Sequence, residues 1–403
     1  MHGGARQSRS SLEEPPKNHM TIPTRAVQQH GQSIWYDFIS RDLLLSGELR
    51  RLVEEDGVRG VTSNPAIFEK AIGSGADYDP AIHTLVAQGC NDPKTLFEGL
   101  AIVDVQLACD VLRDVYDQSQ GEDGFVSLEV SPHLAHDTEG TVDEARRLWK
   151  AVGRPNLMVK VPATRAGLPA IETLIAEGIN INATLLFAVS YYEAVHEAYI
   201  AGLERLVANG GRPEKVASVA SFFVSRIDAR IEKHIAAELS TDGDPDRKAL
   251  FEGLIARVAI ANAIDAYGRF RDTLQGDRWQ ALAARGARPQ RVLWASTGTK
   301  SPDLPPTLYV DELIGPETVN TVPAATFEAF KESGTVRDAL GGSEGERLRE
   351  EALQILASLT EVGISLETVT DELLDQGCQL FCDAFDQLLE AVAKKRDFLT
   401  ETG

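Results

Sequence analysis

Asn156-Leu-Met-Val-Lys-Val-Pro162 places a lysine inside an otherwise apolar run. The run has the length and continuous hydrophobicity of a strand buried on both faces of a parallel sheet. A charged ammonium is costly there, because desolvation favours the neutral amine. A neutral amine is a nucleophile that forms a Schiff base with a ketone or aldehyde. Lys160 therefore reads in two ways. It is a Schiff-base lysine, or it is a strand-end lysine that reaches solvent or pairs with a carboxylate.

Outward from this strand the pattern repeats. Strand-like segments fall at Ser33–Ile39, Val58–Asn64, Phe125–Val130, Asn156–Pro162, Asn180–Phe187, Val216–Ser221, Arg291–Ser296 and Glu317–Thr321. Helical patterns separate them at Asp42–Glu55, Pro93–Tyr116, Val142–Val152, Ala166–Glu177, Ser190–Ala208, Val224–Glu238 with Arg247–Thr273, and Leu304–Leu313. Strict alternation predicts a parallel sheet. Eight repeats predict a closed (β/α)8 barrel, the TIM-barrel architecture of the α/β class, rather than an open doubly wound sheet. No Gly-x-Gly-x-x-Gly follows the first strand, which argues against dinucleotide binding.

Barrels carry their chemistry at the C-terminal ends of the strands, and side chains alternate between interior and helix layer. On that parity Trp35 and Asp37 share a face, as do Thr62 with Asn64, Ser127 with Glu129, and Met158 with Lys160. Asn180, Asn182 and Thr184 share one as well, and so do Ser221 with Phe223 and Trp294 with Ser296. The polar set Asp37, Thr62, Asn64, Glu129, Lys160, Asn182, Thr184, Ser221 and Ser296 thus falls late in its strands with one parity. Each member costs desolvation unless it is satisfied, so convergence on one lysine points to an active site rather than to packing.

The residue types suggest the chemistry. An amine attacking a carbonyl needs a proton donor to expel the carbinolamine hydroxyl. Glu129 suits that role, through a water. The resulting iminium is an electron sink, so a neighbouring C–C bond can break once a base takes the hydroxyl proton, and Asp37 is the candidate base. Asn64 and Asn182 suit sugar hydroxyls, and Thr184 and Ser221 suit the water and the hydroxyls. Arg226 follows the sixth strand and offers a fork for phosphate; its alternative is an ion pair with Asp228 or another helix acid. Lys300 follows the seventh strand, where barrels often bind phosphate.

The formal net charge of the 403-residue chain is −21, which opposes nonspecific binding to nucleic acid or to anionic membranes. No apolar run is long enough to span a membrane. Residues 1–20 lack the apolar segment of a signal peptide and read as a disordered leader, followed by a single domain over 21–403. Cys90, Cys109, Cys378 and Cys382 read as packing cysteines in a reducing, cytoplasmic setting, although Cys378 and Cys382 also have metal-ligand spacing. His133 and His136 read as surface histidines rather than a metal pair. Residues 343–403 read as a helical extension packed on the outside of the barrel, with a helix over the mouth or a dimer face as the alternative. A monomer or homodimer is expected.

Gly60-Val-Thr-Ser-Asn-Pro-Ala-Ile-Phe68, Asn156-Leu-Met-Val-Lys-Val-Pro-Ala-Thr164, Ile181-Asn-Ala-Thr-Leu-Leu-Phe187 and Ala220-Ser-Phe-Phe-Val-Ser-Arg-Ile227 resemble transaldolase motifs. The resemblance runs from about Ser33 to the C-terminus. It implies a cofactor-free transfer of a dihydroxyacetone unit from sedoheptulose 7-phosphate or fructose 6-phosphate to an aldose phosphate, as in the pentose phosphate pathway. It implies Lys160 as Schiff-base former, Glu129 as water-assisted acid/base and Asp37 as cleavage base. Thr184 joins that catalytic group. Thr62, Asn64, Asn182, Ser221, Phe223, Arg226, Ser296 and Lys300 become substrate ligands. Many transaldolases carry an arginine shortly after the serine equivalent to Ser296, whereas this chain reads Ser-Thr-Gly-Thr-Lys300, as in the long-chain branch. Fructose-6-phosphate aldolases of the same superfamily usually show Gln where this chain has Glu129 and Tyr where it has Phe223. Both positions here favour the transferase. A non-catalytic sugar-phosphate binder would have no need to keep the lysine and both acids.

Overall fold

The computed structural model describes residues 22–73, 75–239 and 245–402. The expected leader over residues 1–20 lies outside the described residues. Eight strands form: β1 (Gln32–Tyr36), β2 (Gly60–Val61), β3 (Phe125–Glu129), β4 (Leu157–Pro162), β5 (Ile181–Leu186), β6 (Ser218–Phe223), β7 (Arg291–Ala295) and β8 (Thr318–Val322). Each pairs in parallel with its sequence neighbours, and β8 closes on β1, so the architecture is the (β/α)8 barrel. β4, β5 and β6 are buried along their whole length, which is why their sequences run apolar with few interruptions.

Several boundaries differ from expectation. β2 is only two residues long, so Thr62 and Asn64 lie beyond it, and Asp37 lies beyond β1. The ladder nevertheless continues through single bonds, from Thr62 N–H to Tyr36 O (3.0 Å) and from Asp37 N–H to Val322 O (2.9 Å). Gly60 has no room for a side chain, since a Cβ there would lie 2.5 Å from the Trp35 ring. The helix expected over Asp42–Glu55 breaks at Gly47, which adopts a φ of 84°. The one expected over Leu304–Leu313 shrinks to Leu308–Asp311, after Pro305-Pro306. Helices Pro65–Gly73, Asp79–Ala87, Asp277–Ala283 and Ala324–Ser333 were absent from the sequence reading.

The helix layer follows ordinary rules. In Thr138–Val152, Asp137 accepts from Gly140 N–H at the N-cap, and Gly153 ends the helix in the left-handed region. Val142, Ala145, Leu148 and Val152 face the barrel. Arg146 and Arg147 point outward to Glu177 and Glu98.

The C-terminal extension forms two helices, Gly342–Glu361 and Leu366–Thr402. The first packs on Val258–Leu274, as an outer helix should. The second does not lie on the outside of the barrel. It lies against Pro65–Gly73 and Pro93–Val111, and its middle passes over the C-terminal mouth. Its amphipathic pattern gives a buried face but does not say which surface covers that face.

The opposite end of the barrel closes over a network around Asp123. Its carboxylate receives Trp35 Nε1–H at 2.8 Å and the Ser33 hydroxyl, with Arg59 and Arg291 at 3.5 and 3.7 Å.

Candidate active site

Lys160 sits in the last half of β4, opposite Glu129 on β3 and Asn182 on β5. Its side chain is only 7% exposed and that of Glu129 only 4%. The amine donates to Ser63 O at 3.2 Å and lies 3.4 Å from a Glu129 oxygen. Apart from that amine, no donor in the protein reaches either Glu129 oxygen. Burial therefore pushes the Glu129 carboxyl up to about 7, against the pull of the Lys160 charge. Burial also raises Asp37, opposed by Lys160 and by the Thr62 hydroxyl, which donates to Asp37 Oδ1 at 2.6 Å. The alternative reading of Lys160 is met through its carboxylate arm, the ion pair with Glu129. The lysine does not reach solvent.

Above the amine opens a cavity of about 510 Å³. Asp37, Thr62, Asn64, Lys160, Thr184, Ser221, Phe223, Arg226, Ser296 and Lys300 all line it. Glu129 and Asn182 do not. Glu129 instead borders a cavity of about 10 Å³ with Ser63, Asn64 and Phe385, close to the volume that holds one water. Asn182 is fully buried, donating to Ser127 Oγ (3.0 Å) and accepting from Ser221 Oγ (2.7 Å). Thr184 Oγ1 is buried without a protein partner. Asn64 Oδ1 accepts from Ile67 N–H at 3.1 Å and so caps the helix that starts at Pro65.

The cationic side of the cavity resolves one alternative. Asp228 accepts from Ala259 N–H (2.8 Å) and Tyr309 OH (2.9 Å), not from Arg226. Among the described residues neither Arg226 nor Lys300 has an ion pair. The Arg226 guanidinium lies over the Phe223 ring, 5.4 Å from its centroid. Burial holds Arg226 below its ordinary value, and partial burial together with the Arg226 charge holds Lys300 below its own.

Parity fails on β7. Trp294 points to the helix layer, where its Nε1–H donates to Leu313 O and its ring meets Phe222 edge-on. Strict alternation would send Ser296 the same way. Ser296 reaches the cavity because its backbone turns left-handed (φ 55°) one residue past the strand, and its hydroxyl lies 3.0 Å from Ser225 Oγ.

Sequence reasoning missed two groups. Thr321 ends the interior face of β8 and shares a 2.5 Å hydrogen bond with Thr62, and the same parity rule applied to β8 would have found it. Leu380, Phe381, Asp383, Ala384 and Gln387 come from the mouth helix, and no local signal assigns them to the site. The histidine pair is not assembled as a metal site. His133 Nε2 lies 2.8 Å from Asp386 on the mouth helix, and among the described residues no three metal-ligating side chains cluster. The four cysteines are free thiols, with Cys109 and Cys378 buried. No single helix among the described residues is long and apolar enough to cross a membrane.

A buried amine beside a raised carboxyl, at the C-terminal end of a barrel and under two cations without an ion pair among the described residues, has the chemistry of a Schiff-base enzyme. Residues 34–392 match the family described as Transaldolase/Fructose-6-phosphate aldolase, and the chain belongs to that family. It is similar to Transaldolase 2 of Nostoc sp., 46% identical over 377 residues that cover 93% of this chain and 97% of the relative. It is also similar to the transaldolase of Frankia alni, 47% identical over 379 residues (93% and 98%). The transaldolase of Parafrankia sp. is 46% identical over 376 residues (93% and 98%).

Proposed function

We propose that the mouth cavity moves a dihydroxyacetone unit between sugar phosphates through a covalent intermediate on Lys160. In reaction class the chain is a transferase of the transaldolase type. The donor is fructose 6-phosphate or sedoheptulose 7-phosphate, and the acceptor is erythrose 4-phosphate or glyceraldehyde 3-phosphate. The reading further takes residues 21–403 as one functional unit working in the cytoplasm, with no cofactor.

The observation that carries the proposal is the Lys160–Glu129 pair, 3.4 Å apart with both side chains buried and no other protein donor on the carboxylate. A carboxyl held near 7 donates and accepts protons at neutral pH. The Lys160 amine gives a proton to Glu129 and attacks the ketose carbonyl. Glu129 passes a proton through a water to the carbinolamine hydroxyl, which leaves as water and gives the iminium. Thr184 and Ser221 orient that water. Asp37 removes the proton from the hydroxyl on the far side of the scissile C–C bond. The bond breaks, its electrons move into the iminium, and an aldose phosphate departs. The enamine then attacks the acceptor aldehyde, and the steps run in reverse. Thr62, Asn64 and Asn182 hold hydroxyls or the groups that hold them. Phe223 forms the apolar wall, and Arg226, Lys300 and Ser296 take the phosphate.

The test is borohydride reduction in the presence of fructose 6-phosphate alone, followed by peptide mass analysis. A reduced three-carbon adduct on the peptide bearing Lys160 is expected. An unmodified Lys160 under conditions of full turnover would overturn the mechanism. Glyceraldehyde 3-phosphate release that requires erythrose 4-phosphate marks transfer, and equal release without it marks an aldolase.

A further inference from the structure

The mouth helix brings one aromatic ring against the reacting amine. Of the five residues it contributes to the cavity wall, Phe381 is the one that is buried, at 8% exposure against 54% for its neighbour Leu380. Its ring centroid lies 5.6 Å from Lys160 Nζ, within cation–π range. The ring is not held there by Lys160 alone. One turn earlier, Gly377 lets the helix settle onto β5, since a Cβ on it would meet Leu185 at 3.1 Å. Leu185 is displaced into that contact by a register break in β5, where it adopts a φ of 63°. One turn later, Phe385 packs edge-on against Phe97 and His133. The helix is therefore seated on both sides of Phe381.

We infer that Phe381 is a specificity-determining residue: by covering Lys160 it keeps bulk solvent, the proton source for release, from the covalent three-carbon intermediate, so that the unit goes to an aldose acceptor and not to water. This inference rests on the transaldolase reading above. The competing step is chemically complete. The enamine carbon takes a proton from solvent and becomes an iminium. Water adds to the iminium carbon, the C–N bond breaks, and dihydroxyacetone leaves with the Lys160 amine restored. Hydrolysis of the iminium uses the water the transfer reaction already holds beside Lys160, so the stage that the ring guards is the first: an apolar ring over the nitrogen raises the barrier to delivery of a solvent proton to the enamine.

The experiment measures glyceraldehyde 3-phosphate release from fructose 6-phosphate, with and without erythrose 4-phosphate, in wild type, Phe381→Ala and Phe381→Leu. The expected result is a ratio of acceptor-independent to acceptor-dependent release that rises by about tenfold in Phe381→Ala and less in Phe381→Leu. Borohydride capture of the donor on Lys160 should persist in both. A packing role alone would change thermal stability and total rate but leave the ratio where it is, and an unchanged ratio overturns the inference. If Phe381→Ala does not fold, the milder truncation Phe381→Leu still reports the ratio. Failure of the underlying reaction shows up separately, as wild type that makes no acceptor-dependent product or captures no donor.

Discussion

The two ends of the barrel are built from similar groups and treat them in opposite ways. At the N-terminal end Asp123 has four donors or cations around it. Arg291 also bonds Ser33 Oγ and Thr318 O, and Arg288 bonds the carbonyls of Gly121 and Gln120. At the C-terminal end Thr184 keeps a buried oxygen without a protein partner, and Glu129 has none but Lys160. Arg226 and Lys300 have no ion pair there among the described residues. A cavity of about 420 Å³ opens at the first end and one of about 510 Å³ at the second, so size does not separate them. Charge pairing does. Both ends leave buried oxygens unpaired, but at the N-terminal end these are the neutral amide oxygens of Gln32, Asn156 and Gln290, while its carboxylate and arginines are engaged. A buried charged group left without a partner costs more than a neutral one, and an end that tolerates several of them keeps its bonds for something that arrives later.

The sharpest way to break this comparison is Lys160→Met. Turnover should fall by at least about 10⁴-fold, while the circular dichroism spectrum and melting temperature stay close to wild type. Appreciable residual activity in that variant would sink the Schiff-base mechanism. Glu129→Gln should lower turnover by about 10²–10⁴-fold and flatten the pH–rate limb near 7. It also carries a stability signature with a definite sign. Below about 4.5 the carboxyl is protonated whether the chain is folded or not. Between there and about 7 only the folded chain keeps the proton, so wild-type stability falls as pH rises, and above 7 the loss is complete. Glu129→Gln removes that slope. Its urea midpoint relative to wild type should therefore climb across this window, and parallel pH dependences would contradict the raised carboxyl. The mirror experiment is Asp123→Ala. It removes the acceptor of Trp35 and Ser33 and the counter-charge of Arg59 and Arg291, with an expected loss of about 3–5 kcal/mol in urea unfolding and unchanged kinetics in the folded protein. A kinetic defect at constant stability would erase the distinction between the ends.

How much of this could be read in advance follows from the same physics. Period-two burial and strand–helix alternation are local, so eight strands and their order were legible. The lysine, both acids and most of the hydroxyls lie on one parity, so they were legible too. Ser296 was placed on the right wall for the wrong reason, because a left-handed residue past β7 does what alternation does elsewhere. Asn182 was legible as interior but not as bonded to Ser127 and Ser221, a choice made by side chains on β3 and β6. Phe381 was legible only as one apolar residue in a helical stripe. Its position against Lys160 depends on a contact between Gly377 and Leu185, which are far apart in the chain, and no window of sequence contains both.

The smallest expected effect tests whether the unsatisfied end is tuned as well as open. Phe223 lines the cavity, packs on Phe187 with centroids 5.2 Å apart, and carries the Arg226 guanidinium. A phenol there would sit by the covalent intermediate and offer it a proton. Phe223→Tyr should therefore raise donor cleavage without acceptor severalfold relative to transfer. The matched control is Phe125→Tyr, which adds the same hydroxyl at the N-terminal cavity beside Tyr116 and Trp35. That variant should lose stability, because Phe125 is buried against Tyr116 and Trp35 and an added hydroxyl must be desolvated or overfill that contact. Its partition between transfer and release should not move. If both variants shift the partition alike, the effect comes from a general loosening of the barrel and not from a proton donor at Lys160. If only Phe223→Tyr shifts it, the wall of the mouth cavity controls the fate of the intermediate by what it does not donate.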